Sequence, residues 1–131
     1  MNSKKQKNHK AFGFKRFLRS IKFSVEGLLY AYKNEQSLSL HAFASIVFII
    51  LGFVFKISLT NWALLLISLV LVLAIELLNS AVEATVDLVT SEIHPLAKVA
   101  KDCGSAAAFV STINMFIVCG IIFIPYIIDL F

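Results

Sequence analysis

The sequence predicts an all-α membrane protein, an amphipathic surface helix followed by three transmembrane helices. Three observations carry the prediction. Of the 131 residues, 59% are hydrophobic and 15% charged, with a mean hydropathy of +0.85, far from soluble averages. Three apolar stretches, 38–56, 61–90 and 95–130, are each long enough for the ~30 Å hydrocarbon layer, which takes roughly 20 residues of helix. Lys4, Lys5, Lys7, Lys10, Lys15, Arg16, Arg19, Lys22 and Lys33 all precede Leu38, leaving three of the 12 basic residues for the rest of the chain.

The elements follow in order. Residues 1–13 are polar, basic and without apolar periodicity, and read as a disordered tail. Over 14–33, Phe14, Phe17, Leu18, Ile21, Val25, Leu28, Leu29 and Tyr32 recur at helical spacing opposite Lys15, Arg16, Arg19, Lys22, Glu26 and Lys33. That pattern predicts a helix lying in the membrane interface. The first span, 38–56, starts after Asn34-Glu35 and ends at Lys56, whose stem can snorkel to the headgroups. A few residues reverse the chain, and Trp62 marks the outer interface at the start of the second span, 61–90. Pro95 disfavours a helical His94 and suits a first helical turn, so the third span runs over 95–130. Residues 14–131 thus read as one membrane domain.

The charge asymmetry places the N-terminus in the cytoplasm and, after three crossings, the C-terminus outside. A basic arm tethered this closely to a bilayer meets anionic headgroups rather than nucleic acid. The first long apolar run begins only near Leu38 with no small-residue cleavage pattern after it, which argues against a cleaved signal peptide. Cys103 and Cys119 are too few for a disulfide framework and fall in the third helical segment, where small residues serve packing.

The second span continues into IELLNSAVEATVDLV, residues 75–89. At about 100° per residue, Glu76, Asn79, Ser80, Glu83 and Asp87 share one face. Counting from Trp62 at ~1.5 Å per residue, Glu76 lies about 21 Å across and Glu83 about 32 Å across. Glu76 is therefore inside the inner hydrocarbon, and Glu83 is at the cytoplasmic boundary. An intramembrane carboxylate is costly and by default functional. Glu35, before the antiparallel first span, falls at nearly the depth of Glu83. Two carboxylates with room for phosphate oxygens are what Mg²⁺ uses when it accompanies a nucleotide. The third helix opens with Lys98, Lys101, Asp102 and Ser105, spaced by three and four. Lys98 is read as a positive-inside charge, and His41, near the start of an apolar helix, as a packed or interfacial histidine. A proton-coupled carrier is the rival class, but carriers place the coupling carboxylate near the midplane with access from both sides. Here the outer halves of the helices lack acids until Asp129, which favours chemistry between a cytosolic reagent and a lipid.

IELLNSAVEATVDLV followed by SEIHPLAKVAKDCGSAAA resembles the signature of the small bacterial membrane kinases that phosphorylate diacylglycerol or undecaprenol, and KFSVEGLLYAYKNE resembles their amphipathic helix. The resemblance covers about 16–111; no GxxxxGKS, HRD or DFG is present. It implies a homotrimer in the bacterial cell membrane, with composite sites between subunits and direct transfer of the ATP γ-phosphate to a lipid hydroxyl. By the same resemblance Glu76 is the general base with Asn79 beside it, Glu35 and Glu83 hold Mg²⁺, and Arg16, Glu35, Glu83, Asp87, Glu92, His94, Lys101 and Asp102 bind ATP. Ser24 and Ser105, with Glu76, lie near the lipid substrate. The chain departs from the pattern after Glu35, where QSLSLH lacks the arginine often found there. HPLAKVAKD looks more like the undecaprenol kinases of Gram-positive bacteria than the diacylglycerol kinases.

Overall fold

The computed structural model describes residues 13–130; the expected tail, up to residue 12, lies outside the described residues. Four helices follow in order, α1 (Phe14–Asn34), α2 (Gln36–Val54), α3 (Leu59–Val89) and α4 (Pro95–Ile128), with no strand among the described residues. Each boundary falls within about two residues of the sequence expectation, the usual latitude of helix ends. α2, α3 and α4 are all long and apolar enough to cross a membrane. The protein is an all-α membrane protein.

The chain divides into two compact units, Met1–Tyr30 and Ala31–Phe131. In the first, α1 carries exposed Phe14, Phe17, Leu18, Ile21, Val25 and Leu28. An apolar stripe of this kind suits a helix lying in a membrane interface. The Lys22–Glu26 pair, 3.8 Å apart and exposed, adds little.

In the second unit the turns are fixed by local chemistry. α2 ends in a pair of bonds that close its last carbonyls, from Ile57 N–H to Gly52 O (3.2 Å) and from Lys56 N–H to Phe53 O (3.3 Å). This is a Schellman ending, and it puts Lys56 at φ 50°, where glycine is preferred. Ser58 then caps α3, its hydroxyl accepting from Asn61 N–H at 3.2 Å. α3 stops at Thr90, which is extended (φ −150°, ψ 135°). α4 begins with Pro95 behind a His94 cap. Such short connections make α2, α3 and α4 successive antiparallel neighbours.

α3 packs chiefly along α4, with α2 laid against α3. The core is a seam of Leu65, Leu69 and Val72 from α3 against Met115, Cys119, Ile122 and Phe123 from α4, closed at the α2–α3 turn by Ile57. The intervals of four and three on each helix are those that return side chains to one facing stripe. Gly52 lets the Trp62 indole lie against α2: a Cβ there would sit 2.7 Å from the ring. Cys119 is buried in this seam, as packing requires, whereas Cys103 is exposed. The outward faces carry large exposed apolar side chains such as Phe53, Ile121 and Leu59. In hydrocarbon these cost nothing, because lipid tails are as apolar as leucine.

Candidate active site

The buried stripe of α3 runs Leu65, Leu69, Val72 and then Glu76. The carboxylate therefore continues the core seam toward the inner end, and packing explains why it is only 5% exposed. α4 buries the small residues Ala108 and Ser111 along its own stripe. α2 contributes Ser37, His41 and Ser45, one helical turn apart. Ser37 Oγ donates to Glu76 Oε2 at 2.9 Å. His41, buried at 9% exposure, places Nδ1 3.2 Å from Glu76 Oε1. That ring nitrogen is close but off the hydrogen-bond axis, and no other polar partner takes it. The far nitrogen, Nε2, lies 3.1 Å from Thr112 Oγ1, and the Thr112 hydroxyl also bonds Ala108 O at 2.9 Å. α2 thus meets the α3 carboxylate directly, and α4 reaches it only through the His41 ring.

A second polar tier lies one to three turns nearer the inner end. Asn79 Nδ2 donates to Glu83 Oε1 at 2.9 Å, which orients a half-buried carboxylate. Asn79 Oδ1 is buried against Gly104 without a partner, and a Cβ at Gly104 would collide with it. A residue larger than glycine would thus displace the amide that holds Glu83. Asp87 accepts from Lys101 Nζ at 2.5 Å, joining α3 to α4. Lys98 and Asp102 pair along α4. Both ion pairs are largely exposed, so their charges remain open to an incoming anion and add little stability.

Glu35 is the N-cap of α2, extended at φ −110° and ψ 110°, and its side chain does not cap the helix. Ser37 and His41 both reach Glu76 across an antiparallel pair, so Glu35 is level with the Asn79–Glu83 stretch of α3. These two carboxylates are hard oxygen donors. Among the described residues no three His, Cys, Asp or Glu side chains gather into a metal cage. The pair fits a cation shared with a ligand's oxygens better than an all-protein site.

The other expected residues divide. Glu92 lies exposed in the α3–α4 turn, its N–H bonded to Thr90 Oγ1 at 3.1 Å. His94 has a local task, since its Nδ1 accepts from Leu96 N–H at 3.2 Å and caps α4. Ser105 is exposed on α4. Arg16 and Ser24 belong to the first unit, where the Ser24 hydroxyl donates to Ser20 O. An apolar hollow of about 390 Å³ lined by Thr85, Val86, Val89, His94 and Ala97 lies between the end of α3 and the start of α4.

With that geometry in place, comparison with known proteins is decisive. The family model described as prokaryotic diacylglycerol kinase matches residues 22–123. The chain belongs to the prokaryotic diacylglycerol kinase family. Among its relatives are a diacylglycerol kinase of Pseudomonas aeruginosa, 43% identical over 76% of this chain and 80% of that one, and an undecaprenol kinase of Bacillus subtilis, 34% identical over 95% and 98%. A diacylglycerol kinase of Haemophilus influenzae is 38% identical over 86% of this chain and 95% of its own.

Within this member of the prokaryotic diacylglycerol kinase family, His41 is buried as the reading of a packed histidine expects, and what the sequence did not show is its contact with Glu76. The available signal was the four-residue interval of Ser37, His41 and Ser45 in an otherwise apolar helix. Gly104 also has a specific task, since its lack of a side chain makes room for the Asn79 amide.

Proposed function

We propose that the protein transfers the γ-phosphate of ATP to the hydroxyl of a membrane lipid alcohol, with Glu76 as general base. Its family is one of lipid kinases, and the observation that carries the mechanism is Glu76 itself: a carboxylate buried within a span, held by Ser37 and faced by His41. A lipid alcohol whose tail stays in the bilayer presents its hydroxyl below the headgroups, at that depth. A base must come within hydrogen-bond reach of the proton it removes. Exclusion of water from this tier also limits loss of the phosphoryl group to hydrolysis.

The second tier, at the cytoplasmic end, takes the nucleotide. Glu35 and Glu83 would hold Mg²⁺, which when bound neutralises phosphate charge. Asn79 fixes the Glu83 rotamer. Lys101, drawn to the boundary by Asp87, is placed to meet phosphate oxygens as a compact charge. Asp87, Glu92, Asp102 and His94 would complete the nucleotide surroundings and Ser105 the lipid side; for Arg16 and Ser24, in the first unit, the family resemblance alone implies roles toward ATP and the lipid. Phosphoryl transfer asks for this kind of positioning and charge neutralisation more than for covalent chemistry.

We take undecaprenol as the lipid and diacylglycerol as the second reading. HPLAKVAKD, with Pro95 as the first residue of α4, and the near full-length match to the Bacillus subtilis undecaprenol kinase favour the first. The 43% identity to the Pseudomonas aeruginosa diacylglycerol kinase favours the second. The site faces the cytoplasm in a bacterial cell membrane, with the N-terminus inside and the C-terminus outside. Three copies would complete it, as the family resemblance implies; the Asn114 amide, exposed within the α4 span, already reaches Ser68 Oγ of the same chain at 3.4 Å. Purified protein in bilayers, given γ-labelled ATP with undecaprenol or diacylglycerol, should label undecaprenol in preference. Labelling of diacylglycerol alone would reverse the choice, and labelling of neither would refute the kinase assignment.

A further inference from the structure

We infer that His41 is the counter-charge that keeps Glu76 ionised, so that the base of the reaction is the His41–Glu76 pair rather than the carboxylate alone. The inference rests on the reading of Glu76 as base. A carboxylate can take a proton only if it starts without one, and an ionised carboxylate in a membrane span needs a partner. α2 and α3 contain no Lys or Arg at all, and the two lysines of α4 are paired with Asp102 and Asp87. The groups that meet the Glu76 side chain are Ser37 and His41 from α2, and α4 reaches the far side of the imidazole through Thr112. Of these only His41 can carry positive charge.

The hydrogen bonds assign the ring's protons. Thr112 donates its hydroxyl to Ala108 O, so its lone pair receives the Nε2–H of His41 at 3.1 Å. Nδ1 then faces Glu76 Oε1 at 3.2 Å. Two bare acceptors at that distance repel, so one of the facing atoms carries a proton, and for Glu76 to act as base that proton has to sit on Nδ1, which makes the working pair a carboxylate beside an imidazolium. In the reaction the lipid O–H bond breaks as its oxygen bonds the γ-phosphorus, and the bond to the β-phosphate oxygen breaks with its electron pair leaving on ADP. The lipid's proton goes to the Glu76 carboxylate, while His41 keeps its own. The pair ends as carboxylic acid beside imidazolium and returns its extra proton to solvent after ADP leaves. Thr112 is the positioning residue that turns the ring so that Nδ1 faces the acid.

Three variants in lipid bilayers test this, each checked for thermal unfolding and for Mg-ATP binding. Glu76→Gln should lose turnover about 10²-fold or more. His41→Gln can still hydrogen-bond Thr112 and Glu76 but carries no charge, and should lower kcat at least about tenfold with the KM for ATP within about twofold of the parent. His41→Ala leaves a ring-sized space: imidazole added to it should restore at least about a third of the lost kcat, while pyrazole, a ring of the same size that stays uncharged at neutral pH, should restore none. Equal rescue by both rings, or a His41→Gln enzyme with parental kcat, would show that His41 only fills space and would overturn the inference while Glu76 remains the base. An active Glu76→Gln enzyme would instead overturn the base assignment itself.

Discussion

Glu76 and Glu83 lie two turns apart on one helix yet have different surroundings, and the difference sets what each can do. Glu76 is buried and met by Ser37 and His41, whereas Glu83 is half-buried and oriented by Asn79. Glu83→Gln should therefore raise the Mg²⁺ concentration needed for half-maximal rate by about tenfold, a shift read from a metal titration at fixed ATP. An unchanged titration would remove Glu83 from the metal. Asn79→Ala should give a smaller shift in the same direction, since it frees the Glu83 rotamer without deleting a ligand. Gly104→Ala acts through the same amide: its new methyl collides with Asn79 Oδ1. It should cost about 1–3 kcal/mol in unfolding measurements and raise the KM for Mg-ATP, and retention of both values would show that the amide can move away freely.

Element by element, the apolar lengths already placed the spans, because hydrocarbon thickness and helix rise leave little freedom. The stripe from Glu76 to Asp87 was legible for a related reason: α3 is one unbroken helix, so periodicity alone assigns its face. What was not legible depends on how two helices meet. The His41–Glu76 contact needs the register of α2 against α3, and the Lys101–Asp87 bridge and the Gly104–Asn79 approach need that of α4 against α3, none of which a single helix's period contains. His94 shows the converse, since a residue the family resemblance linked to nucleotide also does local work as the cap of α4. The turn between α2 and α3 offers an independent check on the backbone. Lys56→Gly relieves a side chain from φ 50° and should stabilise by about 1 kcal/mol, measured as a higher unfolding midpoint in detergent; a lower midpoint would mean the lysine stem contributes more than the strain removes.

At the scale of the whole molecule, function follows from depth. Three helices carry one polar system toward one end of the spans, with the buried acid nearer their middle and the paired, exposed charges beyond it, while the other halves supply a packed apolar seam. Such a layout needs only one open face, which sets it apart from a carrier. Cysteines introduced at Ser91 and Leu130, read with a membrane-impermeant thiol reagent on inside-out and right-side-out vesicles in a background lacking Cys103, should label from opposite sides, Ser91 from the cytoplasmic one. Labelling of both from the same side would contradict the three crossings. The central claim is that Glu76 removes the proton of a lipid hydroxyl while ATP donates its γ-phosphate. Its most direct test is transfer of labelled γ-phosphate to lipid by the parent and by Glu76→Gln, with Mg-ATP binding measured on the same samples. The account predicts labelled lipid from the parent alone and equal nucleotide binding by both; labelled lipid formed by Glu76→Gln at a rate near the parent's would contradict it.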